Sequence, residues 1–145
     1  MKRDIQFIVV HCTATTPDAK VQDIVRYWTQ TLGWKNPGYH YLIKRDGQVV
    51  QLQDESKIAN GVKGNNEHSI HVSYIGGVDR EGKPKDNRTP QQQESMFEKL
   101  VELSEKYPKA KIVGHRDFPG VKKACPSFDV RSWLASYEPN MDQAA

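Results

Sequence analysis

The order of apolar and polar positions along the chain predicts a sheet of short strands. Residues 5–10 (IQFIVV) form an almost continuous, β-branched apolar run, which is typical of a buried central strand. Two further runs flank the turn Arg45-Asp46-Gly47 and predict a hairpin. The remaining strands that we predict beside residues 5–10 cover residues 39–44, 48–52, 70–75 and 111–114.

Three other stretches have the apolar spacing of helices. Thr16-Pro17 and Thr89-Pro90 are both typical helix starts, and Asp129 is a typical cap for a short third helix. Helices mixed with strands and one hairpin indicate an α/β fold, a single domain with a central mixed β-sheet flanked by three main helices. We expect residues 1–137 to form this domain and residues 138–145, which lack an apolar pattern, to be a short disordered tail.

Length, composition and charge argue against several classes of protein, but they do not identify a function. The chain has 145 residues, 37% of them hydrophobic, which suffices for a core without disulfides. No apolar stretch approaches the 18 residues of a membrane helix, so we expect no membrane insertion. A net charge of +3, evenly spread, gives no reason to expect nucleic acid as a partner. We expect a monomer. The first ten residues lack the apolar segment of a signal peptide, so we expect synthesis in the cytoplasm.

Two histidines occupy equivalent places in the predicted sheet. His11 follows the apolar run FIVV, and His115 follows the run KIVG, so each lies where a buried strand emerges into a loop. Ligands gather at such strand ends in α/β sheets. Cys125 follows ten residues after His115, and two imidazoles with one thiolate are the donors of a catalytic zinc site with an open fourth position. Spacing alone leaves packed side chains or free thiols as alternatives, because the chain has no CxxC or HExxH signature.

Cys12 is a less suitable metal ligand than Cys125. It follows His11 directly, and successive side chains of a strand point to opposite faces. If His11 points into a site, Cys12 points away from it and is a small buried residue. A Cys12–Cys125 disulfide is the competing interpretation, and it would remove the thiolate from the site.

Four short motifs, in order along the chain, carry a resemblance to a known family. They are VHCTAT (residues 10–15), GYHYLIKRDG (38–47), GHRD (114–117) and KACPSFD (123–129). They resemble the motifs of the zinc N-acetylmuramoyl-L-alanine amidases, which share a fold with the peptidoglycan recognition proteins. The chain is most similar to the small phage endolysins of amidase type, and the resemblance runs from about Ile5 to Trp133.

The resemblance implies a role for each matching residue. The implied zinc ligands are His11, His115 and Cys125. Tyr39 and Lys123 match the two catalytic residues outside the metal shell, and Trp34 matches an aromatic residue of the substrate groove. The chain departs from the family pattern around Ser69-Ile70, where the family often has Asn before the pair and Gly after it. Here His68 and His71 stand at those places, and we expect a solvated loop for His68 and structural roles for His40 and His71.

The resemblance also implies an activity, namely hydrolysis of the amide that joins N-acetylmuramic acid to L-alanine, with peptidoglycan or muropeptides as substrate. An endolysin would act on the cell wall after its release, whereas a recycling enzyme would act on soluble fragments in the cytosol. A non-catalytic peptidoglycan-binding module is the alternative from another class, and the thiol of Cys125 argues against it. A regulatory contact through the charged segment 76–88 is less favoured than a solvated surface loop.

Overall fold

The computed structural model describes residues 3–138, and a five-stranded sheet forms their centre. The strand order is β3-β2-β4-β1-β5. Only β2 and β3 are antiparallel, whereas β1 runs parallel to both β4 and β5, and β2 runs parallel to β4. The predicted mixed sheet with one hairpin is therefore confirmed. The strands are β1 Phe7–Cys12, β2 Tyr41–Ile43, β3 Val49–Gln51, β4 Ser69–Tyr74 and β5 Lys111–Gly114.

Within residues 3–138, three α-helices flank the sheet, as predicted. They are α1 Val21–Arg26, which continues directly into a π-helical turn Tyr27–Thr31, α2 Pro90–Lys106 and α3 Val130–Ser136. Thr89 caps α2 through a reciprocal pair of hydrogen bonds with Gln92, and Asp129 caps α3. The predicted start of the first helix at Thr16 is wrong. The Thr16 hydroxyl donates to the Asp18 carboxylate instead of capping a helix, and α1 begins only at Val21.

Strand β1 lies next to the centre of the sheet and sends its side chains to both faces. Val10 and Cys12 pack towards α2 and α3 in the larger hydrophobic core. Val9 lies in a second cluster on the opposite face, and His11 shares that face because side chains alternate along a strand. The expected opposite orientation of His11 and Cys12 is confirmed.

The end of β1 lies two residues later than predicted. The apolar run ends at Val10, yet Cys12 still pairs with Tyr74 of the parallel neighbour β4. Because β4 extends alongside and supplies backbone partners, His11 lies within the strand and not in the loop. His11 is only 1% exposed as a result.

The charged segment 76–88 lies at the surface over most of its length, but its ends are buried. Arg88 is 8% exposed, and its guanidinium lies 3.4 Å from the ring centre of Phe128. Among the described helices, none combines the length and apolarity that crossing a bilayer requires. The predicted tail lies outside the described residues, apart from Glu138.

Candidate active site

A groove of about 730 Å³ opens at the carboxyl end of β1. Its walls come from α1 with the following π-helical turn, from the loop before β2, and from the loop between β5 and α3. All six residues that the sequence marked as site residues line this one groove: His11, Trp34, Tyr39, His115, Lys123 and Cys125.

Three of these residues form a cluster of metal-donor atoms. The nitrogen or sulfur atoms that His11, His115 and Cys125 offer all lie within 4.8 Å of one another. The parallel pairing of β1 with β5 explains this, because His11 lies at the end of β1 and His115 follows β5 directly. Two imidazoles and one thiol at this spacing fit a zinc ion with an open coordination position, since Zn–N and Zn–S bonds measure about 2.0 to 2.3 Å.

The backbone of β1 holds the Cys125 sulfur beside the histidines. The Cys12 amide donates to Cys125 Sγ over 3.2 Å, and the Cys125 carbonyl accepts from the Arg116 amide over 2.9 Å. Both cysteines are free thiols, so the alternative disulfide is not formed. The Cys12 side chain packs in the core on the other face of the sheet.

Burial prepares the two imidazoles for metal binding. Burial and the neighbouring imidazoles of His71 and His115 lower the pKa of His11 well below its usual value. Burial and the positive charge of Lys123 also lower the pKa of His115. Both rings are therefore neutral at pH 7, with a lone pair available. Contact with the Cys12 thiol, followed by burial, raises the pKa of Cys125, so metal binding must displace the thiol proton.

Tyr39 and Lys123 flank the donor cluster. The Tyr39 hydroxyl donates to the Cys12 carbonyl over 3.0 Å, and its ring lies 5.0 Å from that of His11. Burial raises the pKa of Tyr39, so the phenol keeps the single proton that it donates to the Cys12 carbonyl. Lys123 is exposed at the groove wall.

The far wall of the groove is apolar and aromatic. Trp34 packs against the cluster around Trp28, and its amide donates to the Trp28 carbonyl over 2.9 Å. Tyr27 and Leu32 also line the groove and are 53% and 41% exposed. Tyr27 begins the π-helical turn and Leu32 follows its end, where the chain departs from the 3.6-residue period of an α-helix.

The other histidines separate into two kinds. His68 lies beside the Asp4 carbonyl, 2.9 Å from it, and is not part of the groove lining. His71 is fully buried, and its Nδ1 lies 2.8 Å from His11 Nε2. The sequence interpretation gave His71 a structural role and missed this contact with the donor cluster. The departure from the family pattern at residue 71 was the available signal.

Comparison with known proteins identifies the family. Residues 1–128 match the family described as N-acetylmuramoyl-L-alanine amidase. The chain is 42% identical over 132 residues to the endolysin of Escherichia phage T7, which covers 90% of this chain and 86% of that protein. It is 40% identical over 139 residues to the endolysin of Klebsiella phage KP32, covering 94% and 90%.

Solved structures agree with the family match. The Ph2119 endolysin of a Thermus scotoductus bacteriophage superposes with a TM-score of 0.80 at 25% identity, covering 97% of this chain and 88% of that one. Drosophila peptidoglycan recognition protein SD shares the fold with a TM-score of 0.72 at 18% identity, covering 94% and 83%. The chain belongs to the N-acetylmuramoyl-L-alanine amidase family, and it shares its fold with peptidoglycan recognition protein SD. It is an enzyme of the amidase class, which favours catalysis over a purely binding module.

Proposed function

We propose that the protein is a zinc-dependent hydrolase that cleaves the amide between N-acetylmuramic acid and L-alanine in bacterial peptidoglycan. The observation that carries the proposal is the convergence of His11, His115 and Cys125 within 4.8 Å, in a groove that also contains Tyr39 and Lys123. Membership in the N-acetylmuramoyl-L-alanine amidase family supports the choice of this amide as the bond that is cleaved.

The three donors would hold the ion. Bound zinc supplies Lewis acidity, which polarises the amide carbonyl and lowers the pKa of water to about 7. Neutral His11 and His115 offer nitrogen lone pairs, and Cys125 offers a thiolate once its proton is displaced. The β1 backbone keeps the Cys125 sulfur in place through the Cys12 amide.

Lys123 and Tyr39 act on the charge that develops during hydrolysis. Attack on the amide carbon places negative charge on the former carbonyl oxygen, and the Lys123 ammonium at the groove wall stabilises it. The Tyr39 phenol stays protonated because burial raises its pKa, and by rotating its hydroxyl away from the Cys12 carbonyl it would donate a hydrogen bond to the former carbonyl oxygen of the substrate. The nitrogen of the leaving L-alanine must gain a proton, and Tyr39, Lys123 and water are the candidate carriers.

Substrate binding and location follow from the same assignment. We propose that the apolar wall around Trp34 contacts the glycan or the stem peptide in the groove. The site of action would be the cell wall, as for an endolysin after release, with peptidoglycan or a soluble muropeptide as the substrate. We further propose that residues 1–137 form the catalytic domain and that the protein acts as a monomer.

The decisive experiment is mass spectrometry of products from intact wall and from soluble muropeptides. We expect free L-alanine amino termini and intact glycan strands, with product formation abolished by a strong chelator and restored by zinc. Cleavage between sugars, or cleavage within the stem peptide, would refute the bond assignment. Full activity after demonstrated removal of zinc would refute the mechanism. Preference for intact wall or for soluble fragments would separate lysis from recycling.

A further inference from the structure

Three side chains form a continuous hydrogen-bonded line that ends at the donor cluster. His11 Nε2 lies 2.8 Å from His71 Nδ1, and His71 Nε2 lies 2.8 Å from Asn66 Oδ1. His11 and His71 are 1% and 0% exposed, so these contacts are shielded from water. The other ring nitrogen of His11, Nδ1, lies 3.9 Å from Cys125 Sγ.

The direction of every proton along this line follows from Asn66. The Val62 amide donates to Asn66 Oδ1 over 2.7 Å, which identifies that atom as the amide oxygen. An oxygen only accepts, so His71 Nε2 carries a proton and donates. His71 Nδ1 of the neutral ring is then an acceptor and receives the proton of His11 Nε2. The lone pair of His11 is left on Nδ1, the nitrogen that faces Cys125.

We propose that His71 and Asn66 are positioning residues that hold the metal ligand His11 in one tautomer and one ring orientation, with Nδ1 free for the metal. The inference rests on the zinc site of the proposed function, and it goes beyond that site's three ligands. Partners of this kind behind a metal-bound histidine raise metal affinity, because the ligand is oriented before the metal arrives.

The His71 ring is held in place independently of His11. Its backbone amide donates to His40 Nδ1 over 3.0 Å, and its ring stacks on that of His40 at 5.9 Å. Gly61 also lies against the ring, where a Cβ would collide with it. The contacts with His40, Gly61 and Asn66 restrict the orientation of the His71 ring, which is what a positioning residue requires. The family pattern often has glycine at residue 71, and a glycine cannot make these hydrogen bonds.

Nuclear magnetic resonance of the full chain with ¹⁵N-labelled histidine tests the proposal without a variant. Long-range proton–nitrogen correlations report which ring nitrogen is protonated. In metal-free protein we expect the Nε2–H tautomer for both His11 and His71, and the same tautomers after zinc is added. Protonation of His11 on Nδ1 in the metal-free protein would overturn the proposal.

Zinc affinity, measured by competition with a fluorescent chelator, tests the consequence. We expect His71→Leu to weaken zinc binding by about 10- to 100-fold. Asn66→Asp keeps an oxygen that accepts from both Val62 and His71, so its affinity should stay within a few-fold of the wild-type value. His68→Leu is the matched control, because its imidazole lies beside the Asp4 carbonyl and makes no hydrogen bond to His11 or His71. Unchanged affinity in His71→Leu, or an equal loss in His68→Leu, would refute the positioning role.

These readouts separate the inference from the proposed function. Zinc binding that depends on His71, in a protein that does not cleave the muramoyl amide, would leave the positioning role intact and refute the function. An amidase that needs zinc but whose zinc affinity is unchanged in His71→Leu would support the proposed function and refute the positioning role.

Discussion

The backbone amide of Cys12 donates a hydrogen bond to the sulfur of Cys125 over 3.2 Å, across 113 positions of sequence. The strand that presents His11 therefore also fixes the thiol that stands beside it. An amide donor stabilises a thiolate more than a thiol, so this contact favours the deprotonated sulfur that a metal needs. One strand end thus places two of the three donor atoms, and the parallel strand β5 places the third.

Replacement of the thiol tests the assignment of Cys125. In Cys125→Ser, a hydroxyl of high pKa replaces a soft thiolate donor, so we expect zinc content per protein to fall well below one. Elemental analysis after dialysis measures it. Cys12→Ser is the comparison variant. The Cys12 side chain packs in the core and touches the Cys125 thiol without being a proposed ligand, so we expect this variant to retain clearly more zinc than Cys125→Ser. Equal zinc content in Cys125→Ser and the wild type would contradict the ligand assignment.

Lys123 should matter for turnover and not for metal. Lys123→Ala removes the positive charge at the groove wall, and losing one such stabilising group typically lowers the rate by about 100-fold or more. Turnover on a defined muropeptide and zinc content are measured on the same preparation. Lys122→Ala is the matched control, since Lys122 is exposed and is not among the groove-lining residues. Loss of zinc and fold together in Lys123→Ala would show that the residue is structural.

The extent to which the sequence predicts this structure depends on the range of the interactions involved. Strand β1 and helix α2 were predictable because their signals are local: a continuous run of apolar residues in β1, and helical spacing with a capping residue in α2. His11 and His115 were candidates because each follows an apolar run, but the full set with Cys125 came from the resemblance to the amidase motifs. The contact of His71 with His11 was not predictable, because it depends on the register of β4 beside β1, in which His11 pairs with Ser73. A pairing between strands about 60 positions apart leaves no periodic signal in either strand.

Arg88 illustrates the same limit and provides a stability prediction. Its guanidinium lies 3.4 Å from the centre of the Phe128 ring and 4.5 Å from that of Trp133, while Asp86 pairs with it at 2.9 Å. The sequence placed Arg88 at the end of a surface loop, because nothing local shows that α3 covers it. Arg88→Lys keeps the charge but loses the planar stacking, so we expect the free energy of unfolding to fall by about 2 kcal/mol.

Urea denaturation compares Arg88→Lys with the exposed Arg80→Lys, which should change the free energy of unfolding by less than about 0.5 kcal/mol. Equal stability of the two variants would show that stacking on Phe128 and Trp133 contributes nothing beyond charge.

Glu55 joins the loop after β3 to the end of α2 and should make stability depend on pH. Its carboxylate accepts from the hydroxyls of Tyr41 and Tyr107, the latter over 2.7 Å, and pairs with Lys106 at 2.9 Å. Burial acts to raise the pKa of Glu55, but these three donors outweigh it, so the pKa is lowered from 4.5. A carboxyl whose pKa is lower in the folded state stabilises the fold above its unfolded pKa.

Glu55→Gln should therefore reduce the free energy of unfolding by about 1 to 3 kcal/mol at pH 7. The difference from the wild type should persist down to about pH 4.5 and shrink as the pH falls further, through the folded pKa, because the wild-type carboxyl then becomes protonated as well. Urea denaturation between pH 3 and pH 7 measures it. Glu102→Gln, which removes an exposed pairing with Lys99, is the control and should cost at most about 1 kcal/mol. A Glu55→Gln deficit that stays constant down to pH 3 would show that the carboxylate charge is not its source.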